Sequence, residues 1–434
     1  MGGVKYADSL RLSAILPLDA TLDSLKIILT NAVIGVNEHK ISLTGNAEMA
    51  NDIRMDMNFS TNDIVLNRLL PLIPEALRKE YLDGIAVDGT VQLSGNVCGI
   101  MNDTLMPLIV ADAVYSNGNL AIEGLGHDLY DVSANVHANV DLNTEKNSSI
   151  KINSFSAKTG KTSFTASGTV NDLLNAMDMD IKANARLWLL DLKAEIPEYI
   201  FASGWADAVI SAQCNLDALT NVDLKRIKAN GTIDLSDFDA IYEDSTFVNS
   251  KQMTVDFTLP SRHSVFEFKQ LIDLGIKSNS LNVEMLNFFK TNLAKADLQL
   301  GLSDVMDTTK DMALACKFNV GTMNFEMPGD TISARIRNPH GMAMMYPKNK
   351  STGYVCNLNC DSLSAKVAQD VDARTGLISL NAKAEYVENA PDAFQQWNPE
   401  VKLNFNQGQF SLSSIETPIK VSKIKCDLDK NRLK

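Results

Sequence analysis

No stretch of this 434-residue chain strings together the roughly 18 to 20 apolar residues that a membrane-crossing helix needs. The nearest approach, "TLMPLIVADAV" at 104 to 114, is too short and carries an aspartate. Basic runs are missing as well, and the formal net charge is −13. Phosphate backbones and anionic membrane surfaces are both recognised by clustered Lys and Arg, so nucleic acid binding and simple electrostatic membrane adsorption are excluded. Cysteines number only six, at 98, 214, 316, 356, 360 and 426, too sparse for a disulfide framework. Cys356 and Cys360 would sit about 13 Å apart on an extended strand, beyond disulfide reach. Cys214, Cys316, Cys356 and Cys360 fall in phase with the apolar members of their runs, which reads as free thiols acting as small hydrophobes. Compartment stays open on this evidence.

Catalytic and metal-binding patterns are scarce too. The serines in "LSGN", "ASGT" and "FASGW" lack the frame of a nucleophile elbow, and no phosphate-binding glycine loop occurs. The five histidines show no H-x-x-x-H pairing, and His137 belongs to the polar face of an alternating run. "MDMD" at 177 to 180 puts both carboxylates on a polar strand face. "DLSDFDAIYED" at 234 has Asp239 where a calcium loop needs glycine. The expectation is a non-enzymatic protein with no cofactor and no metal.

What the sequence does contain is alternation. In "DVSANVHANVDLN", residues 131 to 143, Val132, Ala134, Val136, Ala138, Val140 and Leu142 point one way and polar residues the other. Successive side chains of a strand leave opposite faces, so this is a strand with one dry and one wet face. Val91 and Leu93, Phe164, Met179, Ile181 and Ala183, and Ile210 and Ala212 repeat the pattern. It continues in "AKADLQLGL", "MALACKFNV", "ISLNAKAEYV" and "VKLNFNQ", with turn residues between the runs. The fold class is mainly β: an elongated, curved antiparallel sheet forming a groove, with two short helices.

The helices are expected in "NDIVLNRLLPLIPEALRKEYLDG" and "LLDLKAEIPEYIFASG", where the period of two gives way to three- and four-residue steps. Ile73-Pro74-Glu75 and Ile196-Pro197-Glu198 are 123 residues apart (196 − 73), and both are preceded by strand, Asn-Asp turn and strand. The organisation predicted is N-terminal strands over 1–40, a first repeat over 41–163, a second over 164–300, and a continuation of the sheet over 301–434.

The run "LDALTNVDLKRIKANGTIDLSDFDAIY", 216 to 242, resembles the most recognisable stretch of the AsmA family of Gram-negative envelope proteins. Leu224, Arg226, Ile227, Ala229, Gly231 and Leu235 match its turn and second strand. Gly168, Val170 and Asp172 match that family's Gly-x-Val-x-Asp turn. The resemblance covers about residues 40 to 300. It implies a periplasmic protein anchored in the inner membrane by a helix outside this chain, which reads as an excerpt of a longer protein. It further implies an AsmA- and TamB-like lipid bridge, in which a β-groove conducts phospholipid for outer-membrane homeostasis or biogenesis, without catalytic residues.

Two physical uses of the dry faces stand side by side. They close on each other as a sandwich core, or they line a trough for phospholipid or another acyl lipid. The scarcity of aromatics, 6% of residues, favours a trough with room for a chain. Its candidate lining is Val91, Leu93, Val132, Ala134, Val136, Ala138, Val140, Leu142, Phe164, Met179, Ile181, Ala183, Ile210 and Ala212. The alternatives are a scaffold that assists outer-membrane protein assembly through its sheet edges, and, third, a carbohydrate-active enzyme using dispersed carboxylates. A trough predicts dry faces with no opposing layer, a scaffold a filled core with exposed edges, and an enzyme a cleft with perturbed acids.

Overall fold

The computed structural model describes residues 11–21, 25–70, 78, 83–123, 127–144, 147–194, 196–261, 268–303, 312–329, 331–348, 351–368, 370–387, 396–429 and 432–433. Strands take 73% of the residues and helices 5%, so among the described residues no helical layer covers a sheet face. The chain divides into two units: residues 1–187 with 209–226, and residues 188–208 with 227–434. The repeat boundary placed between 163 and 164 falls inside the strand Thr162–Asn171.

The first unit is an antiparallel succession. Lys26–Val36 pairs with His39–Met49, then Ile53–Thr61, Thr90–Met101 and Leu108–Ile122. Leu129–Val140, Ser149–Thr159, Thr162–Asn171 and Asp178–Trp188 follow in order. Short connections between neighbours are what two-sided strands separated by turn residues allow. One edge is interrupted: Leu12–Ile15 and Leu18–Thr21 lie end to end against Lys26–Val36, with Pro17 between them. Proline cannot donate to a ladder, which suits it to an edge.

The second unit runs Lys228–Tyr242, Thr246–Leu259, Ile272–Met285, Phe289–Leu302 and Leu314–Met327, each paired with the next. Beyond Leu314–Met327 the strands are broken in two. Ile332–Arg337 and His340–Lys348 both pair with it. Ser362–Val367 and Ser351–Cys360 come next, then Val371–Thr375 and Ile378–Tyr386, and Glu400–Leu412 joins both halves. These eight strands therefore close a ring of pairings, the connectivity of an eight-stranded barrel, which alternation alone did not foretell. The ring closes across the breaks at Asn338-Pro339, Asp361 and Gly376-Leu377. Backbone bonds bridge that level, with Asn338 N–H donating to Gly321 O at 2.9 Å and Asp361 N–H to Arg337 O at 3.0 Å.

The helices differ from expectation. Of the first, Leu66–Leu69 is helical, and most of the segment that follows lies outside the described residues. The second is only a 3-10 turn at Leu189–Leu192; the chain is extended again from Ile200. Backbone pairing takes Ile200 and Phe201 into a strand, overriding the apolar spacing that suggested a helix. The other short helix is Leu216–Thr220, capped by Asn215, whose side-chain oxygen accepts from Ala218 N–H at 2.8 Å.

Candidate functional site

Cross-strand pairs sort each unit into a dry and a wet face. In the first unit one row reads Ala32, Leu43, Phe59, Gly95, Ala111, Ala138, Ile150, Val170, Met179, crossing nine strands without a polar side chain. The next row reads Leu93, Ala113, Val136, Ile152, Gly168, Ile181, and the one beyond it Val91, Tyr115, Ala134, Phe155, Ala166, Ala183. Paired residues share a face, so the rows form one apolar surface. On the other face Ser94, Asp112, His137, Lys151, Thr169 and Asp180 make a polar row, with His137 Nδ1 2.8 Å from Asp112 Oδ1.

Most of the candidate lining is thereby brought together. Val91, Leu93, Ala134, Val136, Ala138, Val140, Phe164, Met179, Ile181 and Ala183 stand half-buried on this face. Val132 is enclosed at 1% exposure, where Asp131 takes a positive φ and the register shifts. Leu142 lies past the end of its strand and is 47% exposed. Ile210 and Ala212 are half-buried on Ile200–Asn215. Gln213 on that strand donates to Asp180 Oδ2 at 2.8 Å, which puts Gln213 with the wet row and its neighbour Ala212 in phase with the dry one.

The second unit holds an equivalent surface from which no candidate was drawn. Its rows read Ile233, Val255, Ile276, Leu298, Phe318, Gly341, Leu358, Leu380, Leu403, Cys426, and Gly231, Phe257, Leu274, Leu300, Cys316, Ala343, Cys356, Ala382, Val401, Leu428. Every one of these residues is half-buried and none is sealed. The signal was in the sequence, as Leu298-x-Leu300-x-Leu302 and Cys316-x-Phe318. On the opposite face Asn282 donates to Asn249 at 2.7 Å and Asn292 to Asn282 at 2.6 Å. That face also carries a small apolar cluster of Ala315, Met344 and Val355 against Phe268, Met342 and Tyr346.

A filled sandwich would seal large side chains, because packed interiors leave few voids. Here the largest side chains sealed below 2% exposure are Val132, Thr162, Pro339 and Ser148, and no Leu, Ile, Met or Phe among the described residues joins them. The chain exposes 26,993 Å², whereas two compact bodies of half its mass would expose roughly 19,700 Å² by the mass scaling of folded monomers. Among the described residues the dry rows stay half-buried, the fully enclosed Ala32 apart.

All six cysteines are free, and burial pushes the thiols of Cys214, Cys316, Cys356 and Cys360 up. Among the described residues no helix is long and apolar enough to cross a membrane, and no three metal-ligating side chains converge. Comparison with protein-family models, with curated proteins and with solved structures finds no match.

Proposed function

We propose that this chain is a non-enzymatic envelope lipid-binding protein of the AsmA type. It holds phospholipid acyl chains against its apolar sheet faces and takes part in lipid transfer for outer-membrane homeostasis or biogenesis. In this reading the sheet bends about the dry face into a groove, and the native protein works in the periplasm, tied to the inner membrane by a segment outside this chain. One observation carries the proposal: apolar rows cross nine or ten strands per unit while their residues, Ala32 apart, stay half-buried. Each acyl methylene laid on such a surface contributes about 0.8 kcal/mol, so a chain is held without a charged anchor.

Mass spectrometry of the organic extract of the purified chain tests this, with Val136→Asp in parallel. Phospholipid recovered from the parent and depleted in the variant supports the reading. A clean extract from a well-folded parent contradicts it.

A second reading, a scaffold for outer-membrane protein assembly, is favoured by the edge strands Leu12–Ile15 and Leu18–Thr21, which are exposed along their whole length. Such an edge offers backbone groups to an added strand. Binding of extended peptides, lost when Ala14 or Ala20 is replaced by proline, would support it.

A further inference from the structure

The dry face of the second unit has a dip where its side chains are short. Cys316, Ala343, Cys356 and Ala382 occupy adjacent strands there, and Leu314 and Met345 flank them. They line a hollow of about 390 Å³, within the range of roughly 300 to 1,000 Å³ typical of small-molecule sites. Lys383 is the one charged residue that borders the hollow, and it alternates to the other face from Ala382 and Ala384, so the surface that meets an occupant is mostly apolar.

One end of the hollow differs in chemistry. Tyr354 and Tyr386 follow in phase with Cys356 and Ala382 toward the strand ends, and Trp397 packs on both, with ring centroids 5.5 and 5.0 Å away. Trp397 belongs to the connecting segment before Glu400–Leu412, and Pro399 of that segment also lines the hollow. Trp397 remains 45% exposed. Tyrosine and tryptophan have an apolar body and a polar tip, and they suit the place where an amphiphile passes from a dry site to water.

We infer that this hollow seats one acyl chain of an amphiphile, its chain over Ala343 and Ala382 and its polar end emerging past Tyr354, Tyr386 and Trp397. The inference rests on the lipid-binding reading and gives it a discrete seat and an orientation. The chain can come from a free fatty acid or from a phospholipid.

Spin-label quenching of Trp397 in the full chain tests the seat. Stearic acid carrying the label at carbon 5 or carbon 16 forms one arm, and phosphatidylcholine labelled at the same carbons of one chain forms the other. The Trp397→Phe variant subtracts the emission of Trp188 and Trp205. The seat predicts stronger quenching of Trp397 from carbon 5 than from carbon 16, and the arm that shows it identifies the source. Ala343→Phe, which fills the hollow, should weaken binding about tenfold with an unchanged circular dichroism spectrum; Ala382→Leu is the milder variant if Ala343→Phe does not fold. Equal quenching from both carbons, or parent-like binding by the filled variant, overturns the seat. If solvent extraction still recovers phospholipid, only the seat fails; if it recovers none, the wider reading fails as well.

Discussion

Ser250 and Ser278, on neighbouring strands, bring their hydroxyls to 2.8 Å at only 4% and 7% exposure. Ser278 is two residues from Ile276 and shares its face, while Ser250 lies directly opposite Leu281. The contact therefore places Ile276 and Leu281 on one face, although they stand five residues apart and strict alternation would separate them. The same change of phase recurs at this level in other strands, beside the positive-φ residues Asp237, Lys295 and Gln407. Paired strands keep their register through this level, so neighbours change phase together and the dry face passes through unbroken.

The serine pair is expected to stabilise this step. Gln252 O lies 2.9 and 3.0 Å from the two hydroxyls, so one hydroxyl donates to it while the other donates across the pair, and Ser278 Oγ accepts from Ser280 N–H at 3.2 Å. Ser278→Ala should cost about 1 to 2 kcal/mol, since it strands a backbone donor. The double variant with Ser250→Ala should cost less than the sum of the two, because the hydroxyls act as a unit. Urea unfolding of the three variants measures this, and strict additivity would count against it.

Gly95 is the tightest point of the longest row in the first unit. A Cβ there would collide with the Val110 carbonyl oxygen and lie 2.7 Å from Phe59 Cζ. Gly95→Ala should destabilise the chain by about 1 to 3 kcal/mol as overpacking forces both to move. The thermal midpoint reads the loss, and pairing the change with Phe59→Leu should recover part of it.

Much of the dry face was legible because side-chain direction in a strand has a period of two, which needs no knowledge of partners. It failed where local geometry departs from the period. Asp141 accepts from Asn143 N–H at 2.9 Å and turns the chain, so Leu142 no longer follows Val140. The helix read in the segment 189 to 204 failed because an apolar residue every three or four positions also fits a strand end entered through a turn. The face of the second unit showed in its alternating runs, but its mid-strand phase change hid how they continue, and the ring of eight strands was hidden by its dependence on which distant strands pair. The pairing is not a property of any single stretch.

Cys316 and Cys356 report on the dry face without mutation. Burial holds both thiols above the ordinary cysteine range, so folding favours the protonated form. That contribution is fully present below the pKa of the unfolded thiol and is lost as pH rises through the folded one. Alkylation by iodoacetamide at pH 8 should be slower than for an unfolded thiol and should rise with pH. Added acyl lipid should slow it further by covering the row. Rates at both thiols that ignore lipid would contradict occupancy of this surface.

The most direct test places a photo-crosslinking benzoyl-phenylalanine at Val136 in one chain and at His137 in another, then irradiates each as purified with its native lipid. The two positions are adjacent in sequence and opposite in face. Phospholipid adducts from position 136 and none from 137 are what an open, lipid-bearing dry face predicts. Adducts at neither position, or equally at both, would contradict it.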